Sequence, residues 1–107
     1  MLVVWEPMLP TDLAPPVSSA LARLSDRRAM QYWDRKHLVA QSLRQAPGGQ
    51  PEFQCCDDDG ILWDIAGVFG RQARWADAGP RAEFLDGPVW LVKDRLAEAV
   101  ARQLAAP

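Results

Sequence analysis

Histidine and cysteine are scarce in this chain, which has one histidine and two cysteines among 107 residues. A zinc site takes about four ligands, and His37 with a single adjacent cysteine pair does not supply them. Ser18 and Ser19 lack the Gly-x-Ser-x-Gly context of a serine hydrolase. We therefore predict no bound cofactor, and we expect His37 to be a surface or hydrogen-bonded residue in the first turn of a helix.

Long apolar runs and an excess of one charge are also lacking. No stretch of 18 apolar residues is present, so no membrane span is predicted. Lys and Arg number 12 against 14 Asp and Glu, and Asp26 and Asp34 interrupt the densest basic stretch. This pattern is typical of a solvated surface and disfavours nucleic acid as a partner. Without a basic leader and a small-residue cleavage site after Met1, a cytoplasmic location is expected.

The composition fits one domain spanning residues 1–107. The chain is 49% hydrophobic and 24% charged, close to ordinary globular usage, and a chain of this length can bury one modest core. Four of its five tryptophans fall in apolar segments typical of strands, so we expect them in that core: Trp5, Trp33, Trp63 and Trp90.

Hydrophobic patterning predicts the order β-α-β-α-β-β-α. Four segments are typical of strands: residues 2–5, 29–33, 61–69 and 89–92. Three have helical spacing of apolar residues: 17–24, 38–43 with Asp34 as the N-cap, and 93–104. Because the run at residues 2–5 is apolar throughout, we expect a strand buried on both faces of a mixed sheet that has helices on its faces.

This order, together with Val3-Val4-Trp5 and Tyr32-Trp33-Asp34, resembles the thioredoxin-like fold read from its second strand onward. The stretches Val-Val-Trp-Glu-Pro-Met-Leu-Pro-Thr-Asp and Gly-Ile-Leu-Trp-Asp are similar to those of uncharacterised thioredoxin-like bacterial proteins. The resemblance implies an incomplete α/β fold that lacks the family's N-terminal strand and C-x-x-C helix. Asp58-Asp59-Gly60 stands where the family has a cis-proline, so the resemblance implies a fold and carries over no redox residue. A strand this close to Met1 is typical of a reading frame that begins inside a larger fold.

The adjacent pair Cys55-Cys56 is the feature most suggestive of chemistry. Neighbouring Cα atoms are about 3.8 Å apart, closer than the ~4.4–6.8 Å of ordinary disulfides, so a bond between these cysteines would be strained and easily reduced. As thiolates the pair would favour soft ions such as copper(I), mercury or arsenic(III). The acidic residues 57–59 would disfavour the thiolates. Two unremarkable thiols, a redox pair and a soft-metal site all remain open.

Two classes of function follow from these residues. The first is a thiol or redox role, with Cys55 and Cys56 as the candidate catalytic residues. The second is a non-enzymatic interaction or dimerisation domain, since an apolar edge strand at residues 2–5 is a template for pairing. Trp75, between Arg74 and Asp77, is the candidate partner-binding residue. We therefore predict a homodimer or a protein partner and leave open whether the chain is an enzyme.

Overall fold

The computed structural model describes residues 1–45, 56–58 and 61–107, and it confirms a mixed α/β content. These residues form two compact units, Met1–Val39 and Ala40–Pro107. Along the chain the elements are β1 (Leu2–Trp5), α1 (Ser18–Leu21), β2 (Met30–Trp33), α2 (Leu38–Arg44), β3 (Asp57–Asp58), β4 (Ile61–Leu62), β5 (Ala66–Val68), β6 (Phe84–Asp86) and α3 (Val89–Ala105).

A parallel strand pair organises the unit Met1–Val39. β1 and β2 pair in parallel, with Trp5 opposite Trp33, so both predicted strands are confirmed. The indole nitrogen of Trp5 donates to the side-chain oxygen of Gln31 at 2.8 Å. The amide of Gln31 in turn donates to the backbone oxygen of Leu21 at 2.9 Å. The first bond joins the side chains of the two strands, and the second connects β2 to α1.

The helix α1 is much shorter than the predicted segment 17–24. It has a single turn, and none of its residues is buried. The predicted residues 22–24 form only a turn, in which the N–H of Leu24 donates to the carbonyl oxygen of Leu21 at 3.2 Å. Val17, at one end of the predicted apolar stripe, is largely exposed. A stripe this short buries too little apolar surface to stabilise a second turn.

The carboxylate of Asp34 caps the second helix, as the sequence predicts, although Asp34 lies four residues before Leu38 and His37 occupies the N-cap position. Its Oδ1 accepts a hydrogen bond from the backbone N–H of Leu38 at 3.0 Å, and its Oδ2 accepts one from Val39 at 2.8 Å. The carboxylate thus satisfies two N–H groups that have no partner within the helix. His37 lies just before α2, not in its first turn, and has a left-handed φ of 57°.

In the unit Ala40–Pro107, α3 packs on an antiparallel pair. β5 pairs with β6, and Leu85 of β6 is buried together with Val92 and Ala99 of α3. A second antiparallel pair joins β3 to β4, with Asp57 opposite Leu62. In the described residues the strands therefore form three two-stranded sheets, where one mixed sheet was predicted.

Two of the predicted strands are wrong in detail. Residues 61–69 form two short strands, because Asp64 between them has a left-handed φ of 52°. Residues 89–92 are the first turn of α3, and the last strand is β6. Val89 and Val92 continue the helical spacing of Leu96, so the apolar run there is one end of a helical stripe. Within residues 61–69, β5 pairs with β6.

The core is built from smaller side chains than expected. Trp63 and Trp90, predicted to be buried, are exposed, while Trp5 and Trp33 are half-buried. Trp90 is exposed because it lies on a different side of α3 from Val92. Among the described residues the buried apolar side chains are Ala40, Leu43, Cys56, Leu62, Leu85, Val92 and Ala99.

Candidate functional site

Cys56 is buried at the start of the β3–β4 hairpin. It is 2% exposed, has a left-handed φ of 71°, and is disulfide-bonded. A Cβ placed on Gly87 would lie 3.2 Å from its Sγ, so the sulfur packs against the backbone just before α3. Cys55 lies outside the described residues. Of the predicted catalytic pair, the structure therefore places one member, in a buried position.

The backbone contacts and the charges around Cys56 differ from those expected from the sequence. Its carbonyl oxygen accepts a hydrogen bond from the N–H of Trp63 at 3.0 Å, which fixes the hairpin. The neighbouring carboxylate of Asp57 forms an ion pair with Arg44 at the end of α2. Sequence reasoning counted Asp57 as an uncompensated negative charge beside the thiols. The arginine that offsets it is 13 positions away, so local sequence gave no signal of the pair.

Trp75 lies in the connection between β5 and β6. Its ring packs at a tilt on Phe69, with centroids 6.1 Å apart. It also approaches Gly79, where a Cβ would lie 3.2 Å from the ring. The side chain is half exposed, and its role in partner binding stays a prediction. Cys56, the other predicted site residue that the structure describes, packs on Gly87. Cys56 and Trp75 therefore contact different segments of the chain.

One face of the β1–β2 sheet carries exposed apolar side chains. Leu2 lies beside Met30, and Val4 beside Tyr32, in the register of the pair. All four are between 37% and 63% exposed. We call these four residues the outer face. The prediction of a strand buried on both faces is therefore wrong for β1, because a sheet face is covered only where another layer packs on it.

A carboxylate–imidazole pair lies beyond the carboxyl ends of β1 and β2. Glu6 directly follows β1, and Nδ1 of His37 lies 2.9 Å from its Oε2. Both side chains are mostly buried. The other carboxylate oxygen of Glu6, Oε1, is buried and has no hydrogen-bond partner. Sequence reasoning treated His37 alone, because the two residues are 31 positions apart and only parallel pairing brings them together.

Burial controls the protonation of Glu6. Removal from water raises the pKa of its carboxyl above the ordinary value of 4.5, and the negative charge of Asp34 raises it further. The hydrogen bond and positive charge of His37 act in the opposite direction and offset only part of this increase in pKa. Glu6 therefore binds its proton more tightly in the folded chain than in the unfolded one.

A cavity of about 180 Å³ adjoins this pair, and its lining residues are Trp5, Glu6, Asp12, Ala14, Pro16 and Trp33. The carboxylate Oδ2 of Asp12 accepts hydrogen bonds from the backbone of Met8 and Leu9 at 2.8 and 2.7 Å, which orders the loop on one side. These two bonds lower the pKa of Asp12, so this carboxylate stays charged. The cavity thus combines indole rings with carboxylates.

No protein-family model matches the chain. Neither a curated protein nor a solved structure matches it. The thioredoxin-like resemblance therefore stays a prediction. Across the described ranges, no three His, Cys, Asp or Glu side chains are grouped closely enough to hold a metal ion. None of the helices in that part of the chain is both long and apolar enough to cross a bilayer.

Glu6→Gln should flatten the pH dependence of stability. Because the folded state raises the pKa of Glu6, its stabilising contribution is full below pH 4.5 and is lost as the pH rises through the folded pKa. The free energy of unfolding of the wild type should therefore decrease with pH over that window relative to the variant. Urea denaturation between pH 4 and pH 8 measures the difference. Glu98→Gln, on the exposed side of α3, is the matched control, and an identical slope for wild type and Glu6→Gln would contradict the prediction.

Proposed function

We propose that this chain is a non-enzymatic interaction domain that forms a homodimer through the outer face of its β1–β2 sheet. The observation that carries the proposal is that no apolar side chain is fully buried in the unit Met1–Val39, all of which the structure describes. Folding is driven mainly by apolar surface removed from water. A unit that buries so little gains stability when a second molecule covers its apolar side chains.

The outer face is the surface best suited to this role. Parallel strands are normally covered by other layers on both faces. On one face here, the amide of Gln31 donates to the backbone oxygen of Leu21 in α1. Leu2, Val4, Met30 and Tyr32 on the opposite face are exposed. The sheet therefore presents the apolar side that a parallel sheet usually buries.

A second copy of the chain is the partner that the outer face fits. None of its four side chains carries a charge near neutral pH, so two copies can meet without repulsion between like charges. A twofold axis places the same patch on both molecules, which is the commonest arrangement in homo-oligomers. Four side chains are far fewer than the roughly 20–30 residues a side of a standard interface. The dimer should accordingly be weak, with a dissociation constant in the micromolar range.

Sedimentation velocity tests this proposal at chain concentrations from about 1 to 200 μM. The wild type should shift from monomer to dimer over this range. Tyr32→Glu places a charge in the outer face and should weaken the dimer at least tenfold. Leu13→Glu is the matched control, because Leu13 is 84% exposed and lies outside the outer face. A wild type that stays monomeric throughout, or a dimer that tolerates Tyr32→Glu, would overturn the proposal.

A second candidate function is thiol–disulfide exchange at Cys55 and Cys56, favoured by the disulfide-bonded state of Cys56. A partner dithiol would pass two electrons to the disulfide, leaving two thiols in this chain and a disulfide in the partner. Replacing both cysteines with serine should abolish this exchange and leave dimerisation unchanged.

Alkylation followed by intact-mass measurement tests the thiol proposal. The unreduced protein should take up no alkyl group, and protein reduced first with dithiothreitol should take up two, one for each cysteine of the chain. The variant with both cysteines replaced by serine should take up none in either condition. Two alkyl groups on unreduced protein would contradict an exchangeable disulfide.

A further inference from the structure

The cavity beyond β1 and β2 occupies a position that favours ligand binding. In sheets with parallel strands, ligands bind beyond the carboxyl ends of the strands. Trp5 and Trp33 are the last residues of β1 and β2 and are register neighbours. Both line the cavity, together with Glu6, the first residue after β1. The parallel pairing of the strands therefore creates the site.

The lining residues select the charge and shape of a ligand. Ala14, Pro16 and the indoles of Trp5 and Trp33 give apolar walls, and the faces of indole rings attract cations. The charged lining residues, Glu6 and Asp12, are both acidic. An anion would be repelled here, whereas a cation with a short apolar stem matches both the walls and the charge.

One carboxylate oxygen of Glu6 is buried without a hydrogen-bond partner. A buried carboxylate is normally fully hydrogen-bonded, because an unpaired buried acceptor costs free energy. His37 occupies Oε2, but Oε1 has no partner. The Coulombic effect of Asp34 adds to the cost of keeping Glu6 charged, which is one of the causes that raise its pKa. Oε1 is closed to solvent, so a cation in the cavity would not bond to it, but its positive charge near the carboxylate would offset the electrostatic cost of keeping Glu6 charged.

We propose that this cavity binds the alkylammonium group of a small amine or of a lysine side chain. A cavity of about 180 Å³ has room for an ammonium group with a short alkyl stem. The site lies on the face of the sheet opposite the outer face, so it is independent of the proposed dimer.

Titration with n-butylammonium chloride at constant ionic strength tests the proposal, with the indole N–H signals in a ¹H–¹⁵N spectrum as the readout. The signals of Trp5 and Trp33, assigned with Trp→Phe variants, should shift and saturate below about 50 mM. The exposed Trp90 should not respond. n-Butanol has the same stem without the charge, and it should bind at least tenfold more weakly.

Variants locate the charge that the ligand requires. Glu6→Gln and Asp12→Asn keep the size and hydrogen-bond acceptor of each side chain, and each should weaken binding of n-butylammonium about five- to tenfold. Asp94→Asn, on the exposed side of α3, is the matched control and should leave the affinity unchanged. Circular dichroism shows whether each variant is folded.

The source of the ammonium group is decided by a third ligand, Nα-acetyl-lysine methylamide. Tighter binding of this compound than of n-butylammonium identifies a protein lysine, and tighter binding of n-butylammonium identifies a free amine. The comparison of n-butylammonium with n-butanol uses the wild-type chain, so it decides the proposal even where a variant fails to fold. Equal binding of n-butanol, unsaturable shifts, or equal shifts at Trp90 would overturn it.

Discussion

Leu85→Ala should lower the free energy of unfolding by about 3 kcal/mol, within the ~2–5 kcal/mol typical of truncating a buried leucine. Leu85 is the middle residue of β6 and is 3% exposed. Its register partner on β5 is Gly67, and a Cβ placed there would lie 3.0 Å from Cδ1 of Leu85. The leucine side chain thus covers the space above a glycine. That glycine has no side chain to fill the cavity left by alanine.

Urea denaturation followed by circular dichroism measures this loss. Leu91→Ala is the matched control, because Leu91 is 62% exposed on α3 and its truncation removes little buried surface. We expect the control to change the free energy of unfolding by less than about 0.5 kcal/mol. Similar losses for the two variants would show that Leu85 is not part of the core.

Gly87→Ala should cost about 2–3 kcal/mol, at the upper end of what overpacking of a core costs. An added Cβ would overlap the backbone oxygen of Asp64 and lie 3.0 Å from Cδ1 of Ile65. It would also lie 3.2 Å from the Sγ of Cys56. A backbone oxygen cannot turn aside as the end of a flexible side chain can. The whole segment from β4 to β5 would therefore have to move.

Gly70→Ala provides the control for Gly87→Ala. The nearest atoms to a Cβ at Gly70 are side-chain oxygens of Gln103 and Glu83, each at an ordinary 3.7 Å. Thermal and urea denaturation of the two variants should place Gly70→Ala within about 0.5 kcal/mol of the wild type. A Gly87→Ala variant as stable as Gly70→Ala would contradict the close approach of Asp64 and Cys56 to Gly87.

Local signals in the sequence predicted several elements well. The run of apolar residues at Leu2–Trp5 predicted a strand, and the structure confirms it as β1, which pairs in parallel with β2. Asp34 was predicted as an N-cap and accepts hydrogen bonds from two helix N–H groups. The cap involves residues within five positions of each other, so the local sequence determines most of its free energy.

Short apolar runs were less informative. The apolar run at residues 89–92 is equally typical of a buried strand and of the first turn of a helix. Residues 89–92 form the first turn of α3 because Val92 packs in the core with Ala99 and Leu85. In the same way, the apolar residues of 61–69 predicted one continuous strand. The left-handed backbone of Asp64 divides it in two.

The pattern of apolar residues along the chain by itself determined that this is a mixed α/β protein and located β1, β2, α2 and most of α3. Only the tertiary structure decided which apolar side chains are covered. It placed Glu6 beside His37, left the outer face exposed and buried Cys56 against Gly87. These contacts join residues up to 31 positions apart, and their free energy depends on which segments pack together. The spacing of residues along one segment does not contain that information.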